Sequence, residues 1–263
     1  MSLDTGEKTE RYTIQSIDKA LDLIELLAEH GTLSLIELTE KLEQPKSSTY
    51  RIILTLENRG FISRSDEDGK YCLGYKQLML TRNLLERNTL RSAALQEMKK
   101  LSDRYGDTVN LGVLLDGQVL YVEIIESTHP LRMTDSIGSR SPFHATAIGK
   151  AIASRMSDDA VRELAGSYGL PVITPSTIST EAGLLEELGR IREQGYALDD
   201  EEIVEGARCV AAPVLDLHGR PVGAISLSGA MHRFKEELLP EISAQIVEAA
   251  LAVSRKLGYV PPN

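Results

Sequence analysis

Apolar residues recur at helical spacing along the first part of the chain, where Ile17, Ala20, Leu21, Ile24, Leu27 and Ala28 trace one stripe and Gly31 ends it just after His30. The pattern predicts a first helix capped by Ser16. A second helix starts at once: Ser34 and Glu37 stand in the S-x-x-E spacing of a capping box, in which each side chain satisfies a free backbone N–H of the other residue. Leu35, Leu38 and Leu42 supply its buried stripe. Pro45, tolerated in a helix only at its first turn, opens a third segment, "PKSSTYRIILTLENRG", that stops at Gly60. The period then shortens. "FISRSDEDGKYCLG" reads as a strand, an acidic turn ending in Asp68-Gly69, and a second strand. Helices followed directly by a hairpin form the pattern of a winged helix-turn-helix, with the hairpin as the wing.

At about 100° per residue the third helix has two unlike sides. Thr49, Ile52, Ile53 and Leu56 fall on one, and Ser47, Ser48, Arg51 and Thr55 on the other. A short, polar, cationic face suits the DNA major groove, because arginine can donate two parallel hydrogen bonds to guanine and hydroxyls reach bases or phosphates. Lys46 lies at the helix start, where free N–H groups also favour a phosphate. Taken alone, this face fits a merely solvated helix equally well. The wing tips the balance toward DNA, with Arg64 and Lys70 placed to touch its backbone.

From Gly74 to Tyr105 the pattern is helical and positively biased, with a stripe of Leu90, Ala94, Met98 and Leu101 that could pack on a second domain. From Asp107 the period becomes that of strands. "TVNLGVLLDGQVLYVEIIES" is a hairpin turning at Asp116-Gly117, and "ARCVAAPVLDLHGRPVGAISLSG" is another turning near His218-Gly219. Helices are expected at 145–155, 158–166, 181–194 and 235–257. Hairpins separated by helices, without crossovers, argue an α+β fold with an antiparallel sheet. In "VGAISLSG", Ile225 and Leu227 point to one face while Ser226 and Ser228 point to the other, and Cys209 and Ala211 share a face of the preceding strand. Two serines among small side chains suit a polar cavity. On a lone hairpin, a wet outer face is the simpler reading.

The stretch "SIDKALDLIELLAEHGTLSLIELTEKLEQPKSSTYRIILTLENRGFISRSDEDGKYCLG" resembles the DNA-binding domain of the IclR family of bacterial transcriptional regulators, and "SRSPFHATAIGKAIAS" and "GYALDDEEIVEGARCVAAPVLDLHGRPVGAISLSG" are similar to motifs of its effector domain. The resemblance implies a winged helix-turn-helix over residues 14–73, a helical linker over 74–104 that carries the effector signal and adds dimer contacts, and a GAF-like effector domain over 105–258. It implies a homo-oligomer, a dimer or a dimer of dimers. It also implies effector contacts at Met133, Ala147, Ile148, Asp199, Cys209, Ser226 and Ser228. Ala147 and Ile148 fall in the first turn of the helix after "SPFH", where unpaired N–H groups and the helix dipole favour an anion. A small organic acid, sugar-derived or aromatic, is the expected effector. Ile148 departs from the glycine or alanine common in the family and narrows the cavity or turns away from it.

Composition bounds these readings. The 263 residues suit two domains. A net charge of −10 excludes DNA binding by global charge, so it must rest on a local patch; between Lys46 and Arg64, four cations (Lys46, Arg51, Arg59, Arg64) face Glu57 alone. The first dozen residues lack the apolar core of a signal peptide, and no apolar run approaches the ~18 residues of a membrane span. A cytoplasmic location is expected. Cys72 and Cys209 fall in different predicted domains and read as reduced thiols. The five histidines have no zinc-site spacing, so neither a metal nor a cofactor is expected. Two other classes compete. Asp199, His144 and Cys209 contain the residue types of a thiol hydrolase, without any local nucleophile context. An interaction module that has lost DNA binding is disfavoured by the intact Lys46, Arg51 and wing. The sequence therefore predicts a one-component regulator that reads a palindromic double-stranded operator and answers to a small acid; its sign is left open, with repression preferred.

Overall fold

The computed structural model describes residues 14–65, 68–80, 89–130 and 135–261. The chain divides between residues 87 and 88 into two compact units.

The first unit contains α1 (Gln15–His30), β1 (Thr32–Leu33), α2 (Leu35–Lys41), α3 (Lys46–Asn58), β2 (Ile62–Arg64) and β3 (Tyr71–Leu73). The capping box of α2 is formed: Glu37 N donates to Ser34 Oγ over 3.3 Å, and Ser34 N donates to Glu37 Oε2 over 2.7 Å. Leu23, Leu27, Leu38, Leu42, Ile53 and Ile62 share one core. The strands form an antiparallel sheet in the order β1-β3-β2. Two local expectations for α1 fail. Its cap is Ile14, whose carbonyl accepts from the amides of Ile17 and Asp18, so Ser16 lies inside the first turn and caps nothing. The buried edge also differs, because Leu23 is fully buried while Ile17 and Leu21 remain 53% and 52% exposed. Apolar residues occupy more than one face of this helix, and the packing of α2 and α3 selects the edge that carries Leu23 and Leu27.

The second unit begins with α4 (Thr89–Tyr105), β4 (Thr108–Leu115), β5 (Gln118–Ile125), β6 (Arg140–Pro142) and α5 (Ala147–Ala153). It continues through α6 (Asp158–Tyr168), α7 (Glu181–Gln194), β7 (Ala197–Asp200), β8 (Ala207–Leu215), β9 (Pro221–Ala230) and α8 (Leu239–Lys256). Its six antiparallel strands lie in the order β6-β5-β4-β9-β8-β7. Asp116 and Gly117, at φ 49° and 68°, supply the two left-handed residues that a tight hairpin turn needs. Both faces of the sheet are covered. Val109, Leu111, Val210, Ile225 and Leu227 pack against Ala94 and Met98 of α4 and Ile246 and Val253 of α8. Cys209, Ala211 and Ala224 face the opposite way, toward α5, α6 and α7. Lys100 and Lys256 both pair with Glu97, at 2.7 and 2.8 Å, and Arg104 pairs with Glu241 at 2.7 Å. The cations on this end of the helical segment thus serve the second unit.

Candidate nucleic-acid interface and effector site

In α3, Thr49, Ile53 and Leu56 are buried, which leaves Lys46, Ser47, Ser48, Arg51 and Thr55 exposed together on the other side. Thr55 Oγ1 donates to the Arg51 carbonyl over 2.8 Å, so its proton is turned back onto the helix and only its oxygen is free to accept. Arg64 folds over the wing: its Nε donates to Gly69 O over 3.1 Å, and its guanidinium carbon lies 5.7 Å from the centre of the Tyr71 ring. Lys70 follows a turn in which its own amide donates to Asp68 Oδ1 over 3.1 Å. The helix presents a cationic face, and the wing presents two further cations beside its turn.

The candidate effector site grows from strand register. Asp199, Cys209, Ser228 and Thr108 are successive partners across β7, β8, β9 and β4, and Ala197, Ala211, Ser226 and Asn110 form the neighbouring row. Partners opposite one another share a face, so these two rows build a polar floor on an otherwise apolar sheet. Helix α5 covers it. Thr146 caps α5 by accepting from Gly149 N over 3.1 Å, which meets one of the N–H groups that the sequence left for an anion. Between floor and helix lies a cavity of about 30 Å³ lined by Ala147, Ile148, Asp199, Cys209, Ser226 and Ser228. Tyr121, Asp135, Ser141, Thr146 and Ile203 complete the lining. Six of the seven expected effector residues therefore meet around one cavity; Met133 lies outside the described residues.

The site is strongly desolvated. Burial pushes the Asp199 carboxyl up to about 6, against the lowering effect of the Glu202 N–H that it accepts over 2.8 Å. Burial likewise raises Asp135. Burial, reinforced by Asp199, pushes the Cys209 thiol well above its ordinary value. A thiol so placed stays protonated, unlike an activated nucleophile. His144 donates from Nε2 to Pro171 O over 3.0 Å, and burial lowers its pKa, so it is a neutral structural group. Close enough to Asp199 to act on its charge, Lys150 of α5 pairs with Glu202, both side chains being almost fully buried. Asn110, Tyr121 and Asp135 escaped the sequence reading. Asn110 had left a signal, as a lone polar residue inside the apolar run "TVNLGVLL".

Residues 82–255 match the family model for the bacterial transcriptional regulator IclR C-terminal domain, and residues 16–66 match the IclR helix-turn-helix domain. The chain belongs to the IclR family. This IclR-family protein is 33% identical over 248 residues to the transcriptional repressor IclR of Escherichia coli K12, covering 93% of this chain and 90% of that protein. It is 34% identical to the HTH-type transcriptional regulator KdgR of the same organism, with 94% of each covered. Among solved structures, Thermotoga maritima IclR superposes with a TM-score of 0.78 at 31% identity, covering 94% of this chain and 100% of that one. An IclR homolog from Microbacterium hydrocarbonoxydans, solved with 4-hydroxybenzoate, shares the fold with a TM-score of 0.80 at 21% identity, over 92% of this chain and 98% of its own. As an IclR-type transcriptional regulator, the chain is not an enzyme, which removes the thiol hydrolase reading. No helix among the described residues is long and apolar enough to cross a membrane. No cluster of metal-binding side chains occurs among them.

Proposed function

We propose that this regulator binds a small carboxylic acid in the cavity beneath α5 and, in answer to it, changes its affinity for a palindromic double-stranded operator read by α3 and the wing. The observation that carries this reading is the convergence of six residues, scattered from Ala147 to Ser228 along the chain, around one buried polar cavity. The Microbacterium homolog supports an organic acid as the ligand class. Lys46, Ser47, Ser48, Arg51 and Thr55 are the proposed groove contacts, and Arg64 and Lys70 those of the wing. One short helix and one wing make a small footprint, so two readers on paired half-sites, and hence a homo-oligomer, are part of the proposal. The names of the E. coli repressor IclR and the Salmonella acetate operon repressor support repression as the sign. The proposed route from cavity to operator runs through residues 74–104.

The test is a gel shift of the promoter beside the regulator's own gene, with and without a panel of small acids. A bound effector should change operator affinity by roughly 5- to 150-fold, and operator DNA must change effector affinity by the same factor. Independent affinities would exclude the switch.

A further inference from the structure

Two apolar side chains of α3 stand exposed among its polar ones. Tyr50 is 44% and Leu54 38% exposed, and no element among the described residues covers them, whereas Thr49, Ile53 and Leu56 hold the helix to its unit. At about 100° per residue Leu54 falls within about 20° of Ser47, with Arg51 and Tyr50 about 50° to either side of that line. Ser47, Tyr50, Arg51 and Leu54 are joined by spacings of three and four residues, so they form one contiguous diamond on the helix surface. Ser48 and Thr55 lie farther round, beside Ile17 and Leu21 of α1, with which they line a groove. The middle of the exposed face therefore sets a cation and a hydroxyl beside an aromatic ring and a leucine.

The proposed contact of Arg51 with a base edge brings its neighbours into the same major groove. Residues three or four apart on a helix have Cβ atoms about 5–6 Å apart, and successive bases are separated by about 3.4 Å, so Leu54 and Tyr50 reach base pairs within about two steps of the one that Arg51 meets. On base edges in that groove the thymine 5-methyl is the apolar group, and the others are hydrogen-bond donors and acceptors. Leu54 has no polar atom to offer a donor or acceptor, and covering one would strip it of water without return. A thymine methyl is the group that such a side chain meets with gain.

We propose that Leu54 and the ring of Tyr50 are specificity-determining residues, each contacting a thymine methyl group within about two base pairs of the base read by Arg51. The inference rests on the proposed reading of α3 as the groove helix and adds to it a demand for thymine at particular operator positions.

The probe is the duplex that the full-length protein enriches from a random-sequence library, prepared with deoxyuridine, which lacks only the methyl group, in place of each thymine in turn. Burying one methyl contributes about fourfold in affinity, so the parent should bind about fourfold more weakly when uracil replaces a contacted thymine. Leu54→Ala and Tyr50→Ala should each weaken binding of the thymine duplex, and each should bring the thymine-to-uracil ratio at its own position down to about one. Thermal unfolding identifies which variants are folded, and either one suffices. A folded variant that binds DNA more weakly yet keeps the parent's ratio assigns its side chain to packing or to contact with a second copy, and overturns the inference. So does an enriched half-site without thymine, or a parent indifferent to uracil although Arg51→Ala weakens its binding. If no sequence is enriched, or if Arg51→Ala leaves affinity unchanged, the reading of α3 fails and the inference with it.

Discussion

Ile148 of α5 lies directly over Gly112 of β4. A Cβ added at Gly112 would come within 2.9 Å of Ile148 Cγ2 and 2.8 Å of Val119 Cγ1, closer than real side chains approach. The bulky residue that the family resemblance flagged is therefore housed by a glycine on the sheet. Its methyls reach sideways over β4 while the cavity opens beside it.

This relationship predicts two opposite variants. Gly112→Ala overpacks the site, should cost about 1 to 3 kcal/mol, and should weaken small-acid binding by driving Ile148 toward the cavity. Ile148→Ala should cost about 2 to 5 kcal/mol and open room for a larger acid such as benzoate. Urea melts and calorimetry check both. Unchanged ligand size preference in Ile148→Ala would mean that Ile148 does not bound the cavity.

Asp199 predicts a pH dependence of stability. Its carboxyl is raised from an ordinary 3.8 to about 6 by burial, so between those values the native state holds a proton that the unfolded chain has released. The proton favours the folded form at low pH, and stability is lost as pH climbs through about 4 to 6 and levels off above. Asp199→Asn retains an oxygen for the Glu202 N–H and removes the charge. Its advantage over the parent should be absent near pH 4 and rise to at most about 3 kcal/mol above pH 7. Denaturant melts at the two pH values test this, and an equal difference at both would dismiss Asp199 as the source.

Lys150 and Glu202 predict non-additivity. Glu202 is held on several sides: its carboxylate pairs with Lys150 and its carbonyl accepts from Thr177 Oγ1 over 2.7 Å. Lys150→Met alone leaves a buried carboxylate unpaired and should cost about 3 to 5 kcal/mol. Adding Glu202→Leu removes the orphaned charge, so the double variant should be more stable than the sum of the two single losses. Strictly additive losses in urea melts would show that the pair does not act as a unit.

Arg51 and Lys46 predict different losses on DNA. Arg51→Ala should cost about 1 to 3 kcal/mol and relax sequence preference at one operator position, as expected for a base contact. Lys46→Ala should weaken all sequences alike and flatten the salt dependence by about one charge. Fluorescence anisotropy over a salt series separates them, and an equal loss of selectivity in both would contradict the division.

What was legible along the chain is what acts over a few residues. The capping box of Ser34 and Glu37, the stop at Gly31 and the Asp116-Gly117 turn each depend on neighbours four or fewer positions away, so their spacing already contains their geometry. The two-residue strand β1 is too short to show alternation and exists only because β3 pairs with it. Tertiary packing decided the rest. Ile17 and Leu21 have the same helical spacing as buried residues, yet no element among the described residues of their unit closes over them. Ser226 and Ser228 alternate with Ile225 and Leu227 as on any half-wet strand, and only the helices on both sides of the sheet bury both sets. The cavity joins Tyr121, Asp135 and Asp199 to those serines across strands whose register has no fixed interval in sequence. Periodicity records how one element meets its surroundings, whereas the identity of those surroundings is set by long-range contacts that leave no local mark.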